Sequence, residues 1–187
     1  MGGAYFFNMD YYKNIDKIGC YETIQLTASG VQYQVIEDLE AEPVDLEFFK
    51  QHARIDFDTD DTLCEVYIKA ARMALEQWAQ LSFGVKTIGL TALSLPKNYR
   101  LMYGKIDTVD TEGFTNKGDI LKEGGYDIDI EFTTLGTIDD CIRVAIARYA
   151  AGLYIFRENV VESKYSAQGL MDEAKNMLNS YRNITLL

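Results

Sequence analysis

Little in this sequence interrupts a folded chain. Two prolines occur in 187 residues, no low-complexity tract is present, and 48% of the residues are hydrophobic. Global disorder is excluded, and the chain can build a core for one domain with an added arm. Cysteine is scarce too. Cys20, Cys64 and Cys141 stand far apart, are odd in number and include no Cys-x-x-Cys pair. Neither a zinc site nor a disulfide framework is indicated, and a reducing compartment fits. No apolar run approaches the roughly 20 residues that span a bilayer, so no membrane partner is expected. The opening MGGAYFFNMDYYKNID has no basic start followed by an apolar stretch and does not read as a secretory leader. Positive charge is in deficit: 18 Lys and Arg stand against 29 Asp and Glu, a net charge of −11. A cationic patch that grips phosphates is therefore not the dominant feature, and the plain service of such acidity is solubility.

Histidine is reduced to His52 alone. One histidine, with no serine or cysteine at a telling distance, makes neither a recognisable triad nor a metal cluster. Gly124-Gly125 lacks the Lys-Ser/Thr that completes a phosphate loop and reads as a turn. No catalytic, cofactor-binding or metal-ligating residue is assigned, no cofactor is expected, and the chain is not expected to be an enzyme.

What is present is aromatic and amphipathic. Tyr5, Phe6, Phe7, Tyr11 and Tyr12 crowd the N-terminal arm. Residues 21–36 alternate apolar and polar positions on either side of Ala28-Ser29-Gly30, which predicts a hairpin. After Pro43, Asp45 caps a short helix through about residue 54, with Leu46, Phe49 and Ala53 inward. Three-and-four spacing of Leu63, Val66, Tyr67, Ala70, Met73, Ala74, Trp78 and Leu81 predicts a long helix over 59–82, closed by Gly84. Residues 86–133 read as strands and turns, with TIGLTAL, RLMYGKIDTV and YDIDIEF as strands. In the last, Tyr126, Ile128, Ile130 and Phe132 share one face, and Asp127, Asp129 and Glu131 form an acidic, solvated one. A second long helix is expected over 138–157, with Ile138, Cys141, Ile142, Ala145, Ile146, Tyr149, Leu153 and Phe156 as its stripe. A last helix is expected over 166–181. The fold class is mainly α with a small β element: two long helices, shorter ones, and a hairpin or small sheet.

The stretch RIDFDTDD, residues 54–61, places Asp56, Asp58 and Asp60 at alternate positions, as a calcium loop of the EF-hand type begins. Such a loop needs glycine at its sixth position and glutamate at its twelfth. Asp61 and Tyr67 stand there instead. Capping is the better account. Asp58 or Thr59 is expected at the N-cap, with Asp60 and Asp61 in the first turn, where the helix dipole favours negative charge.

From Tyr33 onward the order of motifs resembles the head–tail connector (adaptor) proteins of tailed bacteriophages. The front signature is Glu42-Pro43-Val44, Leu46-Glu47, then Lys50-Gln51-His52-Ala53-Arg54-Ile55-Asp56, an acidic turn and a long helix. Ala53 stands where the family has leucine. AAGLYIFREN, residues 150–159, resembles the family's segment at the end of its second long helix. LNSYRNI, residues 178–184, resembles its terminal Pro-Tyr-Arg, with Ser180 in place of proline. The domain expected is therefore 33–187, with residues 1–32, the aromatic arm and first hairpin strand, as an extension outside the family core.

The resemblance implies a non-enzymatic virion protein of the neck, between capsid and tail, assembled in the host cytoplasm. It implies a homo-oligomeric ring, a dodecamer, that docks under the portal protein and extends the DNA channel. The ring offers a platform to a downstream neck or tail protein, and DNA passes through its lumen without specific binding. It also implies portal contacts near the C-terminal end, with Tyr181, Arg182, Ile184, Leu186 and Leu187 as candidates. The arm aromatics are then candidates for contact with a neighbouring subunit or another neck protein. The competing expectations are another neck protein (a head-closure or tail-completion factor), an acidic metal-binding or regulatory protein, and a small enzyme using His52.

Overall fold

The computed structural model describes residues 25–26, 30–157 and 161–182. Two strands, two helices, six strands and two helices follow one another along them. The strands are β1 (Gln25–Leu26), β2 (Val31–Glu37), β3 (Thr87–Leu95), β4 (Tyr99–Arg100), β5 (Ile106–Val109), β6 (Asn116–Lys117), β7 (Ile120–Leu121) and β8 (Gly125–Thr134). The helices are α1 (Leu46–Ala53), α2 (Asp61–Ala79), α3 (Asp140–Phe156) and α4 (Val161–Met177).

The helices form one core and the strands another. Phe49 of α1, Cys64, Ile68, Ala71 and Leu75 of α2, Ile142, Ala145, Ile146 and Ala150 of α3, and Ala174 of α4 are buried together. Small residues permit close approach: a Cβ on Gly152 of α3 would lie 2.9 Å from the Ala167 carbonyl oxygen of α4. The second core belongs to a five-stranded antiparallel sheet, ordered β1-β2-β3-β8-β5, and a three-stranded sheet, ordered β4-β7-β6. The alternating residues Val31 and Tyr33, Ile88 and Leu90, and Ile128, Ile130 and Phe132 point inward, and Leu101, Tyr103 and Leu121 cover them. The Met102 amide donates to the Tyr33 hydroxyl at 3.3 Å, tying the cover to the sheet. The mixture of helix and sheet is the expected one, but the β part is much larger than a small element. Pairing of β1 with β2 gives the hairpin expected over 21–36. β2 itself runs through the expected 32/33 boundary and pairs along β3.

Local expectations are corrected at five places. Helix α2 stops at Gln80, which adopts the left-handed conformation (φ 53°), rather than continuing to 82. Beyond it, the Ser82 amide donates to Tyr103 and the Phe83 amide to Glu76, so the chain turns into the sheet before Gly84. The inward stripe of α2 is also rotated. Cys64, Ile68, Ala71, Arg72, Leu75, Glu76 and Ala79 are buried, whereas Val66 is 56% exposed. RLMYGKIDTV is not one strand: Tyr103 and Gly104 take positive φ (75° and 82°) and separate β4 from β5. In β8, Asp127 has φ 52°, and Tyr126 is 85% exposed instead of joining Ile128 on the inner face. Helix α4 starts and ends earlier than expected. After Met177 the backbone tightens into three-residue turns, with the Leu178 amide bonding Lys175 and the Tyr181 amide bonding Leu178.

Candidate functional site

Lys50, projecting from α1, holds Asp58 at 2.6 Å and Asp61 at 2.7 Å. Its own pKa is raised by the hydrogen bonds to those two carboxylates. Asp60 accepts from the Tyr154 hydroxyl at 2.8 Å and from Arg157 at 2.7 Å, and those bonds lower its pKa. The turn is thus a clamp that fastens the start of α2 to α1 and to the end of α3. Among the described residues no group of three or more acidic, histidine or cysteine side chains could hold a metal ion. The cap falls on Asp60, not on Asp58 or Thr59, and Asp60 makes no side-chain cap bond because its carboxylate is turned to α3. Asp61 does sit in the first turn. Better caps lie elsewhere: Asp45 accepts from the Phe48 amide at 2.7 Å and Asp139 from the Ile142 amide at 2.9 Å. His52 stacks on Phe48, and desolvation followed by the charge of Arg148 lowers its pKa. Nothing in that pairing resembles a nucleophile and its base.

The densest electrostatic feature is one that sequence reasoning missed. Arg72 of α2 is fully buried. It donates to Glu76 at 2.8 Å, to Asp38 at 2.8 Å and, through two nitrogens, to Glu42 at 2.7 and 3.0 Å. Glu76, also buried, accepts from Lys86 at 2.6 Å and from the Phe83 amide at 2.8 Å. Lys86 lies 3.1 Å from the second Asp38 oxygen. Burial alone would raise the Asp38 pKa, but the Arg72 hydrogen bond and the charges of Lys86 and Arg72 outweigh it and hold the carboxyl well below the usual range. These five side chains join α2, the loop after β2 and the start of β3, so they fix the helical core against the β core. Planar guanidinium geometry suits such a hub, because it satisfies several carboxylates at once. A faint sequence signal existed: Arg72 and Glu76 are spaced i,i+4 and neighbour the buried Ala71 and Leu75.

The remaining candidates are surfaces. Asp127, Asp129 and Glu131 are exposed on β8, and Asp129 and Glu131 face outward from the five-stranded sheet. Val85, Leu135 and Ile138, at the junction of the two cores, are each more than half exposed, an apolar grouping of the kind that marks contacts. The Tyr181 hydroxyl donates to Asp139, which holds the Asp139 pKa down and pushes the Tyr181 pKa up to about 12. Arg182 lies over the Trp78 ring, 4.9 Å from its centroid. Both C-terminal candidates therefore pack on the protein's own helices. Ile184, Leu186, Leu187 and the arm aromatics Tyr5, Phe6, Phe7, Tyr11 and Tyr12 lie outside the described residues.

Three comparisons bear on this arrangement. The family model described as "phage gp6-like head-tail connector protein" matches residues 43–186. No curated protein matches the chain. Among solved structures, a chain described as "Virion of native gene transfer agent (GTA) particle" has a similar fold, with a TM-score of 0.57, 15% identity, and coverage of 83% of this chain and 97% of that one. A second, described as "Neck of empty GTA particle computed with C6 symmetry", gives a TM-score of 0.55 at 13% identity with the same coverage.

Proposed function

For this chain, which belongs to the phage gp6-like head–tail connector family, we propose the role of a neck subunit that forms a ring beneath the portal. A head–tail connector acts in the virion, between capsid and tail. In the proposed assembly the ring extends the DNA channel and presents a platform to the next neck or tail protein. The observation that carries this is the family match, which runs from before α1 through α4 and so takes in the four helices and strands β3 to β8. The likeness to a neck reconstructed with C6 symmetry supports a ring whose copy number is a multiple of six, and a dodecamer satisfies it. The acidity has a use in that setting. Twelve copies at −11 each carry roughly −130 before counter-ions, and a negative wall lets DNA slide without gripping it. The arm residues Tyr5, Phe6, Phe7, Tyr11 and Tyr12 are proposed to contact a neighbouring subunit or neck protein. Ile184, Leu186 and Leu187 are proposed to reach the portal.

The test is reconstitution with the portal protein of the same genome, followed by native mass and electron microscopy. A ring of this chain on the portal is expected. A monomer that ignores the portal and instead joins a preformed connector ring would favour the head-closure reading.

A further inference from the structure

The β core carries opposite charges on its two outer surfaces. On the five-stranded sheet, Gln32, Thr91 and Asp129 form one outward row, and Gln34, Gly89 and Glu131 the next. No Lys or Arg occurs anywhere in β2, β3, β5 or β8. Because Gly89 has no side chain, the face dips there, leaving a depression of about 150 Å³ bordered by Gln34, Ile36, Asp129 and Glu131. At one end of this face stand Leu93 and Tyr126, 79% and 85% exposed.

The three-stranded sheet covers the opposite side of the β core, since Leu121 is packed inward against it. Its pairing sets Arg100, Ile120 and Lys117 side by side in one row. The next outward row is Thr115, Lys122 and Asn98, as the Lys122 amide and carbonyl bonds to those neighbours show. Lys117 and Lys122 are exposed, Arg100 is bound to Asp119, and the Glu123 carboxylate accepts from the Thr115 amide and hydroxyl, so three cations stand against two carboxylates there. A cationic patch around a half-buried isoleucine thus lies across the β core from an acidic, dented face with two exposed apolar side chains.

We propose that these two faces are partners: the cationic face of one copy docks on the acidic face of the next. The inference rests on the ring reading above and names its subunit contact. A ring requires two different, complementary patches on one subunit, because a self-complementary patch closes a dimer instead. Long basic side chains suit the Gly89 depression, where Lys117 can place its ammonium between Asp129 and Glu131. Leu93 and Tyr126 supply the apolar anchor that charge alone lacks, since rim charges chiefly steer and orient. The charge complementarity selects a second copy over DNA, because only a protein partner uses both faces.

Charge reversal tests the pairing. One variant carries D129K and E131K, and another K117E and K122E, each checked for an unchanged far-ultraviolet spectrum and melting curve. Under conditions where the unaltered protein forms rings alone or on the portal, each variant alone is expected to shift fully to monomer by light scattering. Mixing the two variants, or combining all four changes in one chain, is expected to restore the ring. Rings that persist in both single-face variants overturn the pairing while leaving the ring intact. An unaltered protein that forms no ring in either condition overturns the ring reading itself. Duplex DNA binding by the unaltered protein, lost with K117E and K122E while rings remain, assigns the cationic face to nucleic acid and also overturns the pairing.

Discussion

Removing the hub of the ionic cluster should be far more damaging than one surface-like charge change. In an Arg72→Met variant, Glu76 keeps only Lys86 and the Phe83 amide as partners, and its side chain is 3% exposed. Asp38 and Glu42 are 30% and 27% exposed and can turn to water. The penalty therefore concentrates on Glu76, and breaking a buried pair in this way costs about 3–5 kcal/mol. For a domain of this size about 2–4 °C accompanies each kcal/mol, so Tm should fall by roughly 6–20 °C. Urea unfolding followed by the fluorescence of Trp78, the single tryptophan, measures the loss directly. A companion variant, R72M with E76L and K86M, removes the buried charges together and should recover most of it, since a buried ionic group replaced as a unit by apolar side chains is often neutral. The acid limb gives a second reading. The folded Asp38 carboxyl is depressed, so its contribution is complete above the usual aspartate value of about 3.9 and disappears as pH falls through the lower folded value. That decline should flatten in Arg72→Met. A loss below about 1 kcal/mol, with the urea slope unchanged, would refute the assignment of Arg72 as the hub.

Other outcomes follow from single contacts. Millimolar calcium should produce no saturable heat and no Tm shift, because Lys50, Tyr154 and Arg157 already occupy the carboxylates of Asp58, Asp60 and Asp61; saturable binding lost on Asp58→Ala would contradict this. Gly136→Ala should destabilise by at least about 1–3 kcal/mol in calorimetry, since Gly136 has φ +73° and a Cβ would sit 2.7 Å from the Gly84 backbone. Gly152→Leu should force α4 from α3, detectable as faster amide exchange at Ala167 and Met171, whose atoms lie within 3.0 Å of the added Cβ. Deleting residues 183–187 should abolish portal binding with Tm unchanged; retained binding would place the portal contact elsewhere.

Local order was readable along the chain where neighbouring residues decide it. Asp45 capping α1, the alternation of Ile128, Ile130 and Phe132, and the middle of the α3 stripe at Ile142, Ala145 and Ile146 are set within a few positions, and the structure contains each; the ends of that stripe fail, because Ile138 precedes the Asp139 cap and, like Phe156, is exposed. The front motif from Glu42 to Asp56 likewise carried the family resemblance, because it is contiguous. Which face of α2 turns inward was not readable. Its apolar residues allow two neighbouring stripes, and the choice falls to Arg72 and Glu76, whose partners Asp38, Glu42 and Lys86 come from outside the helix. A sequence pattern treats those two charges as outward-facing, since burying a lone charge is prohibitive. Only when the loop after β2 and the start of β3 arrive together are the charges paired, and only then can that face be buried. The same holds for the opposed charges of the β core. Asp129, Glu131, Lys117 and Lys122 are ordinary exposed residues in sequence, and it is the packing of one sheet on the other that sets them on opposite sides.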